Sequence, residues 1–195
     1  MTTTPQPRRI GTTDSKSRTQ LLDAAEQLML DEGYAAVTSR RVAAKAGLKP
    51  QLVHYYFRTM DDLYVEAFRR RADENVARFE RAVAADHTLR RLWELNIDPR
   101  GAALTIEFVA LANHRKAIRA EIARYAERFR AAQLDAVTAA LETHGVADRM
   151  PPIVALLLMT GVSQVLAIEQ ALGVTQGHDA TVAYIEDAIG RLEPG

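Results

Sequence analysis

The sequence contains no cysteine, which excludes disulfides and thiolate metal sites and suits a reducing compartment such as the cytoplasm. It carries no net charge at neutral pH. No stretch alternates apolar and polar residues between turn signals, and the β-branched residues do not cluster, so nothing predicts a strand. The opening residues, Met1 to Pro7, are polar and contain prolines, without the apolar centre of a signal peptide. The most apolar run, Ile153 to Val162, is too short to span a bilayer. Ser163, Gln164 and Glu169 interrupt its continuation, and no membrane partner is expected. The usual catalytic motifs are missing as well. The five histidines, His54, His87, His114, His144 and His178, are scattered, and neither His-Glu-x-x-His nor Glu-x-x-His occurs, so zincin and di-iron bundle ligand sets are absent. There is no Gly-rich phosphate loop. Gly161-Val162-Ser163-Gln164-Val165 resembles a nucleophile elbow for three residues but lacks the final glycine and a preceding strand. No catalytic residue, metal site or cofactor is predicted, and the chain is not expected to be an enzyme.

What remains is an apolar, helix-patterned chain. With 195 residues, 48% of them hydrophobic, it can bury one good-sized helical domain or a small domain fused to a larger one. From Arg18 to Glu32 the apolar residues Leu21, Ala24, Ala25, Leu28 and Met29 share one helical face, and Gly33 stands where a C-terminal cap belongs. A short helix follows, capped by Thr38 or Ser39 and ended by Gly47. Another starts near Pro50, whose fixed φ suits a first turn, and runs to about Phe57. The next opens near Asp61 and Asp62 and continues through Leu63, Ala67 and Phe68 towards Ala85. Further helices are predicted over His87 to Leu95, Ala102 to Asn113, Ala117 to Thr143, Pro152 to Leu172 and Asp179 to Leu192, with Asn96 to Gly101 as a loop. The pattern divides the chain into a disordered arm (1–16), a three-helix unit (17–60) and a larger helical body (61–195).

The charge is unevenly spread. Up to Met60 nine basic residues face five acidic ones, an excess of four positive charges that the rest of the chain cancels. A basic head on an acidic body fits a protein whose head alone meets phosphate, although chance produces such an excess too. Within the head, Thr38 to Phe57 places two short helices around a Gly47 turn, the spacing of a helix-turn-helix, or equally of an ordinary helical hairpin with a solvated face. Val42, Ala43, Leu48, Val53 and Phe57 can pack the unit. Arg40, Arg41, Lys49, Gln51, His54, Tyr55 and Tyr56 are left near its outer surface. Arg and Gln can each make paired hydrogen bonds to base edges, and tyrosine and Thr38 hydroxyls can bond phosphate oxygens.

The opening helix LLDAAEQLMLDEGYAAVTSRRVA, the turn AAKAGL and the segment LVHYYF followed by MDDL together resemble the N-terminal domain of the tetracycline-repressor (TetR) family. The likeness covers Arg18 to Leu63; beyond it only helix count and length agree. It implies an all-α fold: a three-helix helix-turn-helix domain joined to a helical ligand-binding and dimerisation domain. It also implies a cytoplasmic, one-component transcription regulator that binds double-stranded DNA, usually as a repressor. By matched position Thr38, Arg40, Gln51, His54, Tyr55 and Tyr56 become the DNA-contact candidates, joined by Lys49; His54 can instead be a half-buried packing residue. The family commonly has Lys where Met60 stands, and Lys49-Pro50-Gln51 departs from its usual opening of the recognition helix.

The resemblance further implies a homodimer built on the last two long helices, and the run Ile153 to Val162, apolar nearly all round, allows it independently. A monomer burying that helix in its own core is the alternative. The middle helices would enclose a small-molecule effector, with Trp93, Phe108, Tyr125, Phe129, Met159 and Gln164 as candidate lining residues, each equally a core residue. Such groups suit an apolar or aromatic effector. A helical interaction protein of the same fold that has lost DNA binding is the rival reading.

Overall fold

A computed structural model describes residues 16–84 and 87–193, and these form nine α-helices with no strand among them. They are α1 (Lys16–Glu32), α2 (Ser39–Lys45), α3 (Pro50–Tyr56), α4 (Met60–Val83), α5 (Thr88–Asn96), α6 (Pro99–Ala112), α7 (Lys116–Thr143), α8 (Pro152–Ala171) and α9 (His178–Leu192). A single 3-10 turn, Tyr34–Ala36, links α1 to α2. The expected disorder of the N-terminal arm concerns residues that lie, but for Lys16, outside those described.

Local chemistry accounts for most boundaries. Thr38 caps α2 by accepting from the Arg41 N–H. Thr59 and Asp62 form a reciprocal capping box that starts α4 at Met60, one residue earlier than the acids alone suggest. One expectation needs correction. Asn96 to Gly101 is not a loop; only Ile97 and Asp98 separate α5 from α6. Asp98 caps the Arg100 N–H and Pro99 occupies the first helical position, where its missing N–H costs nothing. At α5 the cap is remote. His87 precedes the helix at φ 65° and gives no side-chain cap, and the buried carboxylate of Glu193 accepts instead from the Leu89 and Arg90 N–H groups.

Two apolar cores organise the packing. The first joins the buried faces of α1 to α4 to Leu104, Phe108 and Leu111 of α6 and Ile118 of α7. The α1 residues Leu21, Ala24, Ala25, Leu28 and Met29 all lie in it, as the periodicity predicts. It runs without a break across the boundary expected at residue 60. The second core gathers Phe79, Leu89, Leu92, Trp93, Val137, Leu141, Ala155, Leu156 and Ile189. Helix α4 spans both and packs on α5 and α7.

The outermost helix is different. α8 buries Ala155, Leu156 and Ser163 but exposes Ile153, Val154, Leu157, Leu158, Val165 and Ile168, and Tyr184 of α9 is 70% exposed nearby in the chain. The helix is also longer than the apolar run read from the sequence. Its 20 residues are strongly apolar and mostly unburied, so by length and composition it could cross a membrane. It is the one such helix among the described residues.

Candidate nucleic-acid interface and aromatic interior

The α2–α3 unit is held from inside by Val42, Ala43, Val53 and Phe57, all buried, with Leu48 packed against them. The turn between the helices is a Schellman motif. The Gly47 N–H donates to the Ala44 carbonyl at 3.1 Å and the Leu48 N–H to the Ala43 carbonyl at 2.9 Å. Gly47 sits at φ 67° with open space where a Cβ would be, so its requirement is backbone conformation and not room.

The polar residues of this unit fall into two sets. Arg41 and Lys45 are tied to α1, Arg41 to Glu32 and Lys45 to Asp31 at 2.7 Å. These hydrogen bonds hold both carboxyls below their ordinary values. Arg40, Lys49 and Arg58 are exposed and have no ion pair among the described residues. Thr38, Gln51, His54 and Tyr55 are exposed too, whereas Tyr56 is half-buried, packs on the first core and meets Tyr55 edge to face at 4.9 Å. The sequence candidates Thr38, Arg40, Lys49, Gln51, His54 and Tyr55 therefore share the exposed surface of one small unit. Met60 is half-buried against the first core.

Several bonds clamp this head to the body. Tyr64 Oη donates to the Val37 carbonyl at 2.8 Å. Glu107 of α6 accepts from the Tyr34 N–H at 2.7 Å, beside Gly33 at φ 81°. Arg18 pairs with Glu66 at 2.7 Å and lies over the Phe57 ring. Arg70 of α4 reaches Asp23 at 2.6 Å and Glu26 at 2.7 Å on α1. Burial pushes the Glu26 carboxyl above its ordinary value despite Arg70 beside it. The sequence reading missed Glu107 and Arg70, because the contacts join residues 73 and 44 positions apart.

Of the interior candidates, Tyr125 and Phe129 stack at 5.2 Å. Phe68 meets Tyr125 and Phe108 edge to face, and Phe79 meets Phe129 likewise. This aromatic row forms the seam between the two cores. Trp93 is buried in the second core, with Met159 against it. Gln164 is exposed and does not join them.

The inner face of α4 carries Phe68, Arg71, Ala72, Asn75 and Phe79 at helical spacing, apolar at both ends and polar at the middle. Five side-chain atoms of the described residues are buried without a hydrogen-bond partner of good geometry: Arg71 Nε and Nη2, Trp93 Nε1, Asn96 Nδ2 and Tyr125 Oη. Asn75 lies beside the Tyr125 hydroxyl, whose pKa burial raises. Arg71 stands 3.6 Å from Glu74 and 4.0 Å from Asp98, while Asp98 is engaged by Arg78 at 2.7 Å. Burial raises the Asp98 carboxyl pKa, but Arg78 and its other donors outweigh this and leave it below its ordinary value. A cleft of about 390 Å³ opens between α4 and α5, lined by Arg78, Arg81, Ala82, Arg91, Glu94 and Leu95.

The fold and the exposed α2–α3 unit define an all-helical protein with an N-terminal helix-turn-helix. The profile described as bacterial regulatory proteins, tetR family, matches residues 21–67, the segment that carries the helix-turn-helix. It is 28% identical over 122 residues to the HTH-type transcriptional regulator BetI of Rhizobium meliloti (strain 1021), an alignment covering 58% of this chain and 60% of that relative. Among solved structures, a TetR-family member from Streptomyces coelicolor A3 is 27% identical with a TM-score of 0.60, covering 93% of this chain and 100% of that one. A transcriptional regulator from Saccharomonospora viridis, solved in complex with choline, is 23% identical with a TM-score of 0.67, covering 82% and 88%.

Proposed function

We propose that the chain is a ligand-responsive transcription regulator that binds a pseudo-palindromic DNA site as a homodimer and is released by a small effector, acting as a repressor in the cytoplasm. The observation that carries this reading is the capped helix-turn-helix with unpaired Arg40, Lys49 and Arg58 and exposed Gln51, His54 and Tyr55 around its second helix. Lys49, Arg40, Thr38, Tyr55 and Tyr56 are assigned to phosphate contacts, which set register, and Gln51 to a base edge. His54, exposed in the last turn of α3, is assigned to phosphate as well. The exposed apolar face of α8 and α9 is the dimer surface in this reading. A twofold axis there would present two α3 helices about 34–36 Å apart or a multiple of it.

Two bonds supply the link from effector to head. Glu107 ties α6 to the backbone entering α2, and Tyr64 ties α4 to the same turn. A ligand that favours one arrangement of α4 and α6 biases the spacing of the heads, and DNA must in turn weaken ligand binding by the same factor.

The test is a mobility-shift assay on DNA upstream of the chain's own gene over a salt series. Tight, site-selective and salt-sensitive binding is expected. Binding no stronger than to random DNA would instead support a helical interaction protein of the same fold. Within that assay Tyr56→Phe should weaken all DNA sequences by a similar factor, and Gln51→Ala should relax preference at one base position per half-site. Selective loss of the specific site in the first variant, or an unchanged profile in the second, would remove those assignments.

A further inference from the structure

The seam between the two cores is short of acceptors. Of the five orphaned atoms, four are nitrogen donors and the fifth is a hydroxyl; none is an acceptor only. A buried donor left unmet is costly, and a guanidinium more so. The acids nearby do not remove the deficit: Asp98 is committed to Arg78 and to the Arg100 N–H, and Glu74 is exposed and 3.6 Å from Arg71. Two of the groups, Arg71 and Tyr125, are linked in space. Arg71 Nη2 lies where a Cβ on Gly101 would come within 2.9 Å, at the start of α6; Tyr125 feels the Arg71 charge; and Trp93 and Asn96 are one turn apart on the helix that runs into Asp98. Phe68, Phe129 and the Tyr125 ring provide apolar walls on one side. Arg78 connects the interior to the α4–α5 cleft, where three arginines face one glutamate.

We propose that the effector of this protein carries an anionic group, a carboxylate on an apolar or aromatic body, which seats on Arg71 with the Tyr125 hydroxyl as the neighbouring donor. The proposal rests on the ligand-responsive reading above and names its ligand class. It separates this chain from a sensor of quaternary ammonium compounds, whose cation would meet the like charge of a buried guanidinium. It also states how the ligand reaches the head. The anion would draw Arg71 off the Asp98–Gly101 end of α6, and Glu107 on that same helix holds Tyr34.

The experiment is thermal unfolding of the full chain with matched probes that share one body and differ in charge. One set is phenylacetate, phenylacetamide and benzyltrimethylammonium. The other is decanoate, decanamide and decyltrimethylammonium, with choline added alone. At about 10 mM a carboxylate should raise Tm by several degrees while its amide and ammonium partners do not. Arg71→Met should weaken that carboxylate at least tenfold yet unfold, without ligand, at the same or a higher temperature than the parent. Tyr125→Phe, which keeps the ring and removes the hydroxyl, should weaken it severalfold and serves if Arg71→Met fails to fold. Equal responses to amide and acid, a response to the ammonium compounds alone, no carboxylate response, or a carboxylate response untouched in the variants would each overturn the proposal. DNA release by the same carboxylate, read by fluorescence anisotropy, separates the two claims. Arg71-dependent binding without release would leave the anion site standing and sink the sensor reading.

Discussion

Arg70 and Arg71 are neighbours on α4 and belong to two differently built regions. Arg70 turns to the junction between head and body, where Asp23 and Glu26 accept its N–H groups and, with Glu121 holding Arg69 at 2.9 Å, form a network of ion pairs. Arg71 turns to the seam between the cores and makes no hydrogen bond there from Nε or Nη2. The same residue type, one position apart, is complete in one region and incomplete in the other. A region whose polar groups are all met resists change; a region with unmet donors gains from a new partner. In the proposed reading the junction keeps the head on the body, and the seam is where a ligand would act.

The contrast predicts unequal consequences of mutation. The largest is expected for Arg70→Met, which strands the buried Glu26 and should cost about 3 kcal/mol, lowering Tm by roughly 6–12 °C. Its pH dependence follows from Glu26, whose folded pKa burial already holds above its ordinary value. A raised carboxyl gives stability that is present below the unfolded pKa and lost as pH rises through the folded one. The deficit of Arg70→Met should thus shrink on acidification, and a deficit independent of pH between neutral and acid would show that Glu26 does not need Arg70.

Next in size is Tyr64→Phe, which leaves the Val37 carbonyl without its buried donor and should cost about 1–2 kcal/mol. It should also alter DNA affinity if the bond orients the head; a stability loss with unchanged anisotropy titration would limit the bond to packing. A smaller effect is expected at Glu121, whose carboxyl is held below its ordinary value by hydrogen bonds from Arg69, then Arg124. Here the sign reverses: the stability is present above the unfolded pKa and lost as pH falls through the folded one. Glu121→Gln should unfold at lower temperature than the parent near neutrality, and the two should converge in acid. Smallest of all is Arg71→Met without ligand, near zero or stabilising. A loss as large as that of Arg70→Met would erase the distinction between the two regions.

Local signals made the head readable in the sequence. The α1 face, the Thr38 cap, the Gly47 turn and the Pro50 start all lie within a few residues of what they control, and each stands where the pattern predicts. The exposed candidates of α3 followed from the same register. Less was legible in the body. Asn96 to Gly101 reads as a loop because Asn, Asp, Pro and Gly are all turn formers, yet the same Asp-Pro pair caps and opens α6. Arg71 and Asn75 were missed for a different reason. On a helix of mixed polarity an arginine at an inner position looks like a solvated one until α5, α6 and α7 close around it. Likewise Gln164 reads as a pocket polar group until α8 turns it outward. Position in sequence predicts a helix face; it does not predict which neighbour covers that face.

The remote cap on α5 bears on the order in which the molecule assembles. Helix α2 finds its Thr38 cap, and α1 to α3 find many of their packing partners, within the first sixty residues. The first turn of α5 depends on a carboxylate 104 positions later, so during synthesis that turn must wait, with its N–H groups facing water, until residue 193 has left the ribosome. Folding of the body is then a late, non-local event, and the helix that closes one wall of the α4–α5 cleft is among the last pieces to become fixed.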